Sequence, residues 1–201
     1  GRTLATLSAS GSRKVQAGYE PLVAGFIRAP FDDLEAVRAI ARDNPQATAV
    51  LVEPIQGEGG VRLPSAGYLA GLRRICDEHD CLLMLDEIQT GLCRTGRWYA
   101  HQHDDILPDV LTTAKALGNG VPIGACVARG KAAAAFKPGS HGSTFGGNPL
   151  ASAIASAVLD VMLEDGFLEG VVERGRYMRE RADEIVQRHP HVFELARGAG
   201  M

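Results

Sequence analysis

Apolar residues in this chain gather into runs of four or five, and helical spacing fills the stretches between them. The runs at 48–52, 81–85, 110–113 and 124–128 are short and nearly continuous. A half-exposed strand would alternate polar and apolar residues, so runs like these predict strands buried on both faces. Separated by helices, such strands dictate a mostly parallel sheet with helices on both sides, an α/β, doubly wound fold. A further strand is read at 22–27. The sequence Asp32-Asp33-Leu34-Glu35 resembles a capping box, followed by Leu34, Val37, Ile40 and Ala41 at helical spacing. Pro64-Ser65 starts a second helix with Leu69, Leu72, Ile75 and Cys76 on one face. Helices are also expected at 150–163 and 167–187, the latter with Leu168, Val171, Val172, Met178, Ala182, Ile185 and Val186 inward.

Residues 1–160 are accordingly assigned to a large domain, and 161–201 to a linker helix and the start of a smaller one. The chain opens at Gly1-Arg2-Thr3 and stops in the glycine-rich Arg197-Gly198-Ala199-Gly200-Met201. It reads as a piece of something longer.

Hydrophobic residues make up 45% of the 201 and charged residues 22%, which excludes a disordered chain. The longest pure apolar runs, five residues as at 81–85, fall far short of the roughly 20 residues that cross a bilayer. A net charge of −3 with interspersed signs gives no basic face for nucleic acid. Cys76, Cys81, Cys93 and Cys126 lack CxxC spacing, so buried reduced thiols in a cytoplasmic protein are expected. The close histidine pairs, His101/His103 and His189/His191, have no second pair to complete a tetrahedron, so no metal is expected.

Open parallel sheets bind ligands beyond the carboxyl ends of their strands. Four polar segments follow apolar runs: Glu53-Pro54-Ile55-Gln56-Gly57-Glu58-Gly59-Gly60, Asp86-Glu87-Ile88-Gln89, Thr113-Ala114-Lys115 and Ser143-Thr144-Phe145-Gly146-Gly147. Asp86 by itself fits a strand-end acid capping the next turn. It also fits the magnesium-holding acid of a P-loop ATPase, but no G-x-x-x-x-G-K-[ST] loop is found here. Lys115 lies 29 residues on, past a buried strand and before Gly118-Asn119-Gly120, where an amine can be held out of water as a nucleophile. Adjacent strand ends are about 4.8 Å apart, so an acid and an amine there can flank one six-membered ring. That is what pyridoxal phosphate needs: an amine for its aldehyde and a carboxylate for its ring nitrogen. Glu53 reads more simply as satisfying backbone groups near Pro54. Arg94, Arg97, Trp98 and Tyr99 read as surface and packing residues.

Together, the segments around Glu53 and Glu58, Asp86 and Gln89, Lys115 and Ser143-Thr144 resemble the class III (ω-amino acid) aminotransferases in order and spacing, over essentially the whole chain. Within that class, the opening Gly1-Arg2-Thr3-Leu4 and Lys14-Val15-Gln16-Ala17-Gly18-Tyr19-Glu20-Pro21 are most similar to the branch using N-acetylornithine. The resemblance implies a fold-type I large domain in a cytoplasmic homodimer with shared active sites, acting in arginine biosynthesis. It implies that Lys115 holds pyridoxal 5'-phosphate as a Schiff base, with Asp86, Glu87, Ile88 and Gln89 around the ring. Thr144 would reach the cofactor phosphate of a neighbouring subunit, Ser143 the substrate, and Arg2 the substrate α-carboxylate. Glu58 would pair with an arginine later in the subunit while the amine binds and release it for 2-oxoglutarate. Succinylornithine, ornithine and 4-aminobutyrate are the sibling substrates. The family's phosphate loop and ring-stacking aromatic would lie before Gly1, so this piece alone is expected to turn over slowly or not at all; an inactive fragment that merely folds is the remaining alternative.

Overall fold

Residues 3–201 are described in the computed structural model. Two short helices, α1 (Leu4–Ala9) and α2 (Arg13–Gln16), lead into an extended segment, then α3 (Leu34–Asp43), β1 (Ala49–Val52), α4 (Tyr68–Glu78), β2 (Leu82–Asp86) and β3 (Val110–Thr113). There follow β4 (Ala125–Ala128), α5 (Gly130–Ala135), α6 (Pro149–Met162) and α7 (Phe167–Arg188). One sheet has the order β1-β2-β3-β4, the first three strands parallel and β4 antiparallel. The expected α/β architecture with a mostly parallel sheet is present. Its strands lie in chain order, and the β2–β3 connection carries only a 3-10 turn, Ala100–His103.

Alternation within β2 organises the core. Leu83 and Leu85 are sealed from water, while Leu82, Met84 and Asp86 are half-buried. The two leucines pack with Val37 and Ala41 of α3 and with Leu69, Leu72, Ile75 and Cys76 of α4. Asp33 caps α3, its Oδ1 accepting the Ala36 N–H at 2.9 Å. The cap thus sits one residue later than a box starting at Asp32. Asp32 instead accepts from the Ser65 N–H and hydroxyl at 2.9 and 2.6 Å, tying α3 to the approach to α4. Asp109 locks the sheet behind β3: its Oδ2 accepts the Leu83 N–H at 2.8 Å and Arg73 Nη1–H at 2.7 Å. Burial pushes the Asp109 carboxyl up, but these hydrogen bonds outweigh it and hold it below the usual range. A smaller cluster joins Leu92, Leu117 and Ala155 of α6.

Three expectations are corrected. Residues 22–27 form no strand; Val23 N–H donates to Ser8 Oγ at 2.9 Å, but no strand among the described residues pairs with the segment, and an apolar run without a ladder partner stays extended coil. β4 is not buried, with Val127 56% exposed, because it lies at the sheet edge. The expected inner side of α7 is largely uncovered: Val171 is buried, yet Val172, Met178 and Ile185 are exposed.

Candidate functional site

The parallel register brings three chain exits to one edge. Val52 pairs with Leu85, and Asp86 with Thr112, so Glu53, Asp86 and the Thr113–Ala114 exit adjoin. Glu53 Oε2 accepts the Gly57 N–H at 3.0 Å, the backbone-satisfying role read from the sequence. Gly57 then presses on Gln89: a Cβ added there would lie 2.6 Å from Gln89 Cγ, so only glycine permits this approach. After β3 the backbone turns sharply, and Lys115 adopts φ +38° at the head of a 3-10 turn, Lys115–Leu117. Such a value strains a lysine, and strain of this kind gathers at functional sites.

Lys115 borders two cavities. One, of about 350 Å³, is lined by Gly57, Val61, Ile88, Gln89, Ala199 and Met201 among others. The other, about 630 Å³, is an open groove toward Asn119, Pro122 and Ile123. Arg94 lines both. The lysine is exposed, not held out of water as expected, because the turn places it between two openings.

Adjacent acids have separate destinies. Asp86 is half-buried at the strand end, its Oδ1 accepting the Ile88 N–H at 3.1 Å; this bond shapes the turn that sets Ile88 and Gln89 in the cavity wall. Glu87 lines neither cavity. It is fully buried and accepts from the Thr90 hydroxyl at 2.5 Å, the Ala100 N–H at 2.9 Å, and the His101 N–H and ring Nδ1–H at 3.0 and 2.9 Å. Burial pushes its carboxyl up, but bonds from His101, Thr90 and the backbone prevail and leave it below the ordinary range. The expected cofactor contact at Glu87 is corrected to a scaffold role: alternation in the turn after β2 sends its side chain inward.

Ser143 and Thr144 are exposed on the loop between α5 and α6 and line neither cavity. Ser143 Oγ accepts the Gly146 N–H at 3.0 Å. Glu58 is exposed on the turn that follows Gly57. Arg2 lies outside the described residues. Sequence reasoning missed Arg94, whose guanidinium has no ion pair or hydrogen bond among the described residues, and the His101 partner of Glu87. Positive φ at Leu92 and Cys93 swings Arg94 to the cavities; the nearby Gly91 and Gly96 were the only local hint. In the glycine-rich tail 197–201, Ala199 and Met201 line one cavity.

Lys115 and Gln89 line one cavity, while Asp86 ends the adjoining strand and lines neither cavity; an amine, an amide and a carboxylate at adjoining strand ends are the donor types that pyridoxal phosphate, with its aldehyde and basic ring nitrogen, calls for.

The family model "Aminotransferase class-III" matches residues 1–201. The chain is 55% identical over 201 residues to a protein of Nitrosomonas europaea named acetylornithine aminotransferase, covering all of this chain and 51% of that one. The ornithine aminotransferase of Toxoplasma gondii ME49 has a similar structure, with a TM-score of 0.94, 40% identity, and coverage of 100% of this chain and 48% of that one. A second Toxoplasma gondii ornithine aminotransferase structure, described as having partial occupancy of PLP at its active site, gives a TM-score of 0.88 at 40% identity, with coverage of 100% and 47%. The chain thus spans about half the length of the curated relatives it matches.

Proposed function

Because this chain belongs to the class III aminotransferases, we propose that the subunit containing it moves the δ-amino group of N-acetylornithine to 2-oxoglutarate, with pyridoxal 5'-phosphate held at Lys115. One observation carries this reading: Lys115 and Gln89 line one cavity at the strand edge where Asp86 ends β2. When bound, the cofactor supplies an aldehyde that takes up amines and a protonated ring that accepts electrons. Asp86 keeps the proton on the ring nitrogen. Gln89 hydrogen-bonds beside the ring hydroxyl, and Ile88 gives the cavity an apolar wall. Lys115 Nζ anchors the group and moves the proton at the amine-bearing carbon of the substrate. Arg2 and Ser143 bind substrate, and Thr144 binds the cofactor phosphate of a partner subunit. Glu58 pairs with an arginine beyond Met201 during the amine half-reaction.

A homodimer with shared sites is supported by the absence of Ser143 and Thr144 from the walls of both Lys115 cavities and by Phe145 and Leu150 beside them, 81% and 71% exposed. The free buried thiols Cys76, Cys81 and Cys93 favour a cytoplasmic setting, and no helix among the described residues is long and apolar enough to cross a membrane. Residues 1–160 belong in this reading to the large domain and 161–201 lead toward a small one. A chain with half its relatives' length is expected to turn over slowly or not at all alone.

The test uses the full-length subunit. Borohydride reduction with pyridoxal phosphate present should fix the cofactor on a single peptide, the one containing Lys115; labelling elsewhere defeats the proposal. Likeness to ornithine aminotransferases favours ornithine as a second reading. Rates with N-acetylornithine, succinylornithine, ornithine and 4-aminobutyrate, each against 2-oxoglutarate, decide between them, and the kinetics should be ping-pong.

A further inference from the structure

We propose that residues 197–201 form a strap that fixes the turn carrying Glu58 over the Lys115 cavity, with Arg197 as its positioning residue. Within that turn the Gly60 and Val61 N–H groups both donate to the Gly57 carbonyl at 3.1 Å, and the other local contacts hold its base. Gln56 and Arg62 pair as an isolated antiparallel bridge, Glu53 accepts the Gly57 N–H, and Gly57 lies on Gln89. Glu58, Gly59 and Gly60 remain exposed. Arg197 meets this far end: its Nε–H donates to the Gly60 carbonyl at 3.0 Å, from 137 residues away in the chain. The next residue, Val61, lines the cavity and has φ +51°. A β-branched residue stays in that region only where its surroundings insist.

The other end of the strap is anchored independently. Met201 N–H donates to the Arg94 carbonyl at 2.9 Å. Gly200, at φ +72°, runs so near that turn that a Cβ on it would lie 2.1 Å from Arg94 O and 2.8 Å from Thr95 Cα. Gly175 of α7 closes in behind, with an added Cβ 2.9 Å from Gly200 Cα. The strap therefore bridges two turns that line one cavity, and Ala199 and Met201 form the wall between them. A guanidinium donating to a carbonyl fixes where the Glu58 turn rests and takes no part in proton transfer at Lys115.

The functional consequence rests on the proposed role of Glu58 in the amine half-reaction; the placement of the turn does not. In the full-length holoenzyme, amide hydrogen exchange at 57–61 should speed up about fivefold in Arg197→Ala, the size of one exposed hydrogen bond lost. Exchange at 82–86 should stay unchanged. Arg197→Lys, which retains a terminal donor, should restore most of the protection. The KM for the amine should rise about fivefold in Arg197→Ala, as expected for the loss of one such interaction, with KM for 2-oxoglutarate and kcat within about twofold of the parent. Unchanged exchange at 57–61 overturns the strap. Equal acceleration at 82–86 does too, since Arg197 then only stabilises the fold. Loosening of 57–61 with both KM values unmoved removes the link to Glu58. A full-length parent without transaminase activity defeats the functional reading, and the exchange data then judge the strap alone.

Discussion

Beneath α3 and α4, Leu72, Ile75, Cys76, Leu83 and Leu85 are closed to water, whereas at the strand exits Gln89, Arg94 and Lys115 are exposed. The backbones differ as well. Eight non-glycine residues among those described have positive φ, and five of them, Val61, Leu92, Cys93, Lys115 and Asn119, belong to the segments around the cavities. The packed side is held by apolar area removed from water. The cavity side is held by hydrogen bonds from distant segments that keep unfavourable backbone in place. Changes on one side should therefore register as stability, and on the other as chemistry.

The sharpest separation is expected at Lys115. In the full-length subunit, Lys115→Ala should lower transamination about a thousandfold or more and leave the urea midpoint unchanged; a large fall in the midpoint would make the residue structural. On the packed side, Leu72→Ala should cost about 2–5 kcal/mol in urea unfolding. Val172→Ala, on the uncovered face of α7, should fall within about 0.5 kcal/mol of the parent. Similar losses from both would show that α7 is covered in solution.

Glu87 belongs to the packed side despite its place in the motif. Its carboxyl is held below the ordinary range in the folded state, so the stability it gives is complete above the unfolded value, 4.5, and fades as pH falls through the lower folded value. Glu87→Gln should cost about 1.5–3 kcal/mol at neutral pH and flatten this acid limb of the stability profile. The smallest effect concerns thiols. Burial pushes Cys76 up to about 12, while Cys126 is exposed. Iodoacetamide should thus label Cys126 at least about tenfold faster in the native 201-residue chain.

Local pattern was enough where structure depends on local pattern. β3 falls on the apolar run at 110–113, and the α4 face of Leu69, Leu72, Ile75 and Cys76 is buried as spacing required. Strand-end logic also brought out Lys115, Ile88 and Gln89, which share a cavity. It failed where partners lie far away in the chain. Residues 22–27 have strand composition without a neighbouring strand. Nothing near Glu87 announces that His101 will seal it inside, and nothing near Arg197 indicates a carbonyl 137 residues earlier. Motif spacing grouped Asp86 with Glu87, while the structure leaves Asp86 half-buried at the strand end, accepting the Ile88 N–H, and seals Glu87 in the interior.

Lysine at φ +38° is a poor choice for its own peptide plane, which glycine would occupy with less strain by about 1 kcal/mol. Had endurance been the sole criterion, that position would carry no side chain. In the proposed reading, an amine there trades robustness for turnover, and the tight corner after β3 becomes the place where the molecule gives up firmness to present it.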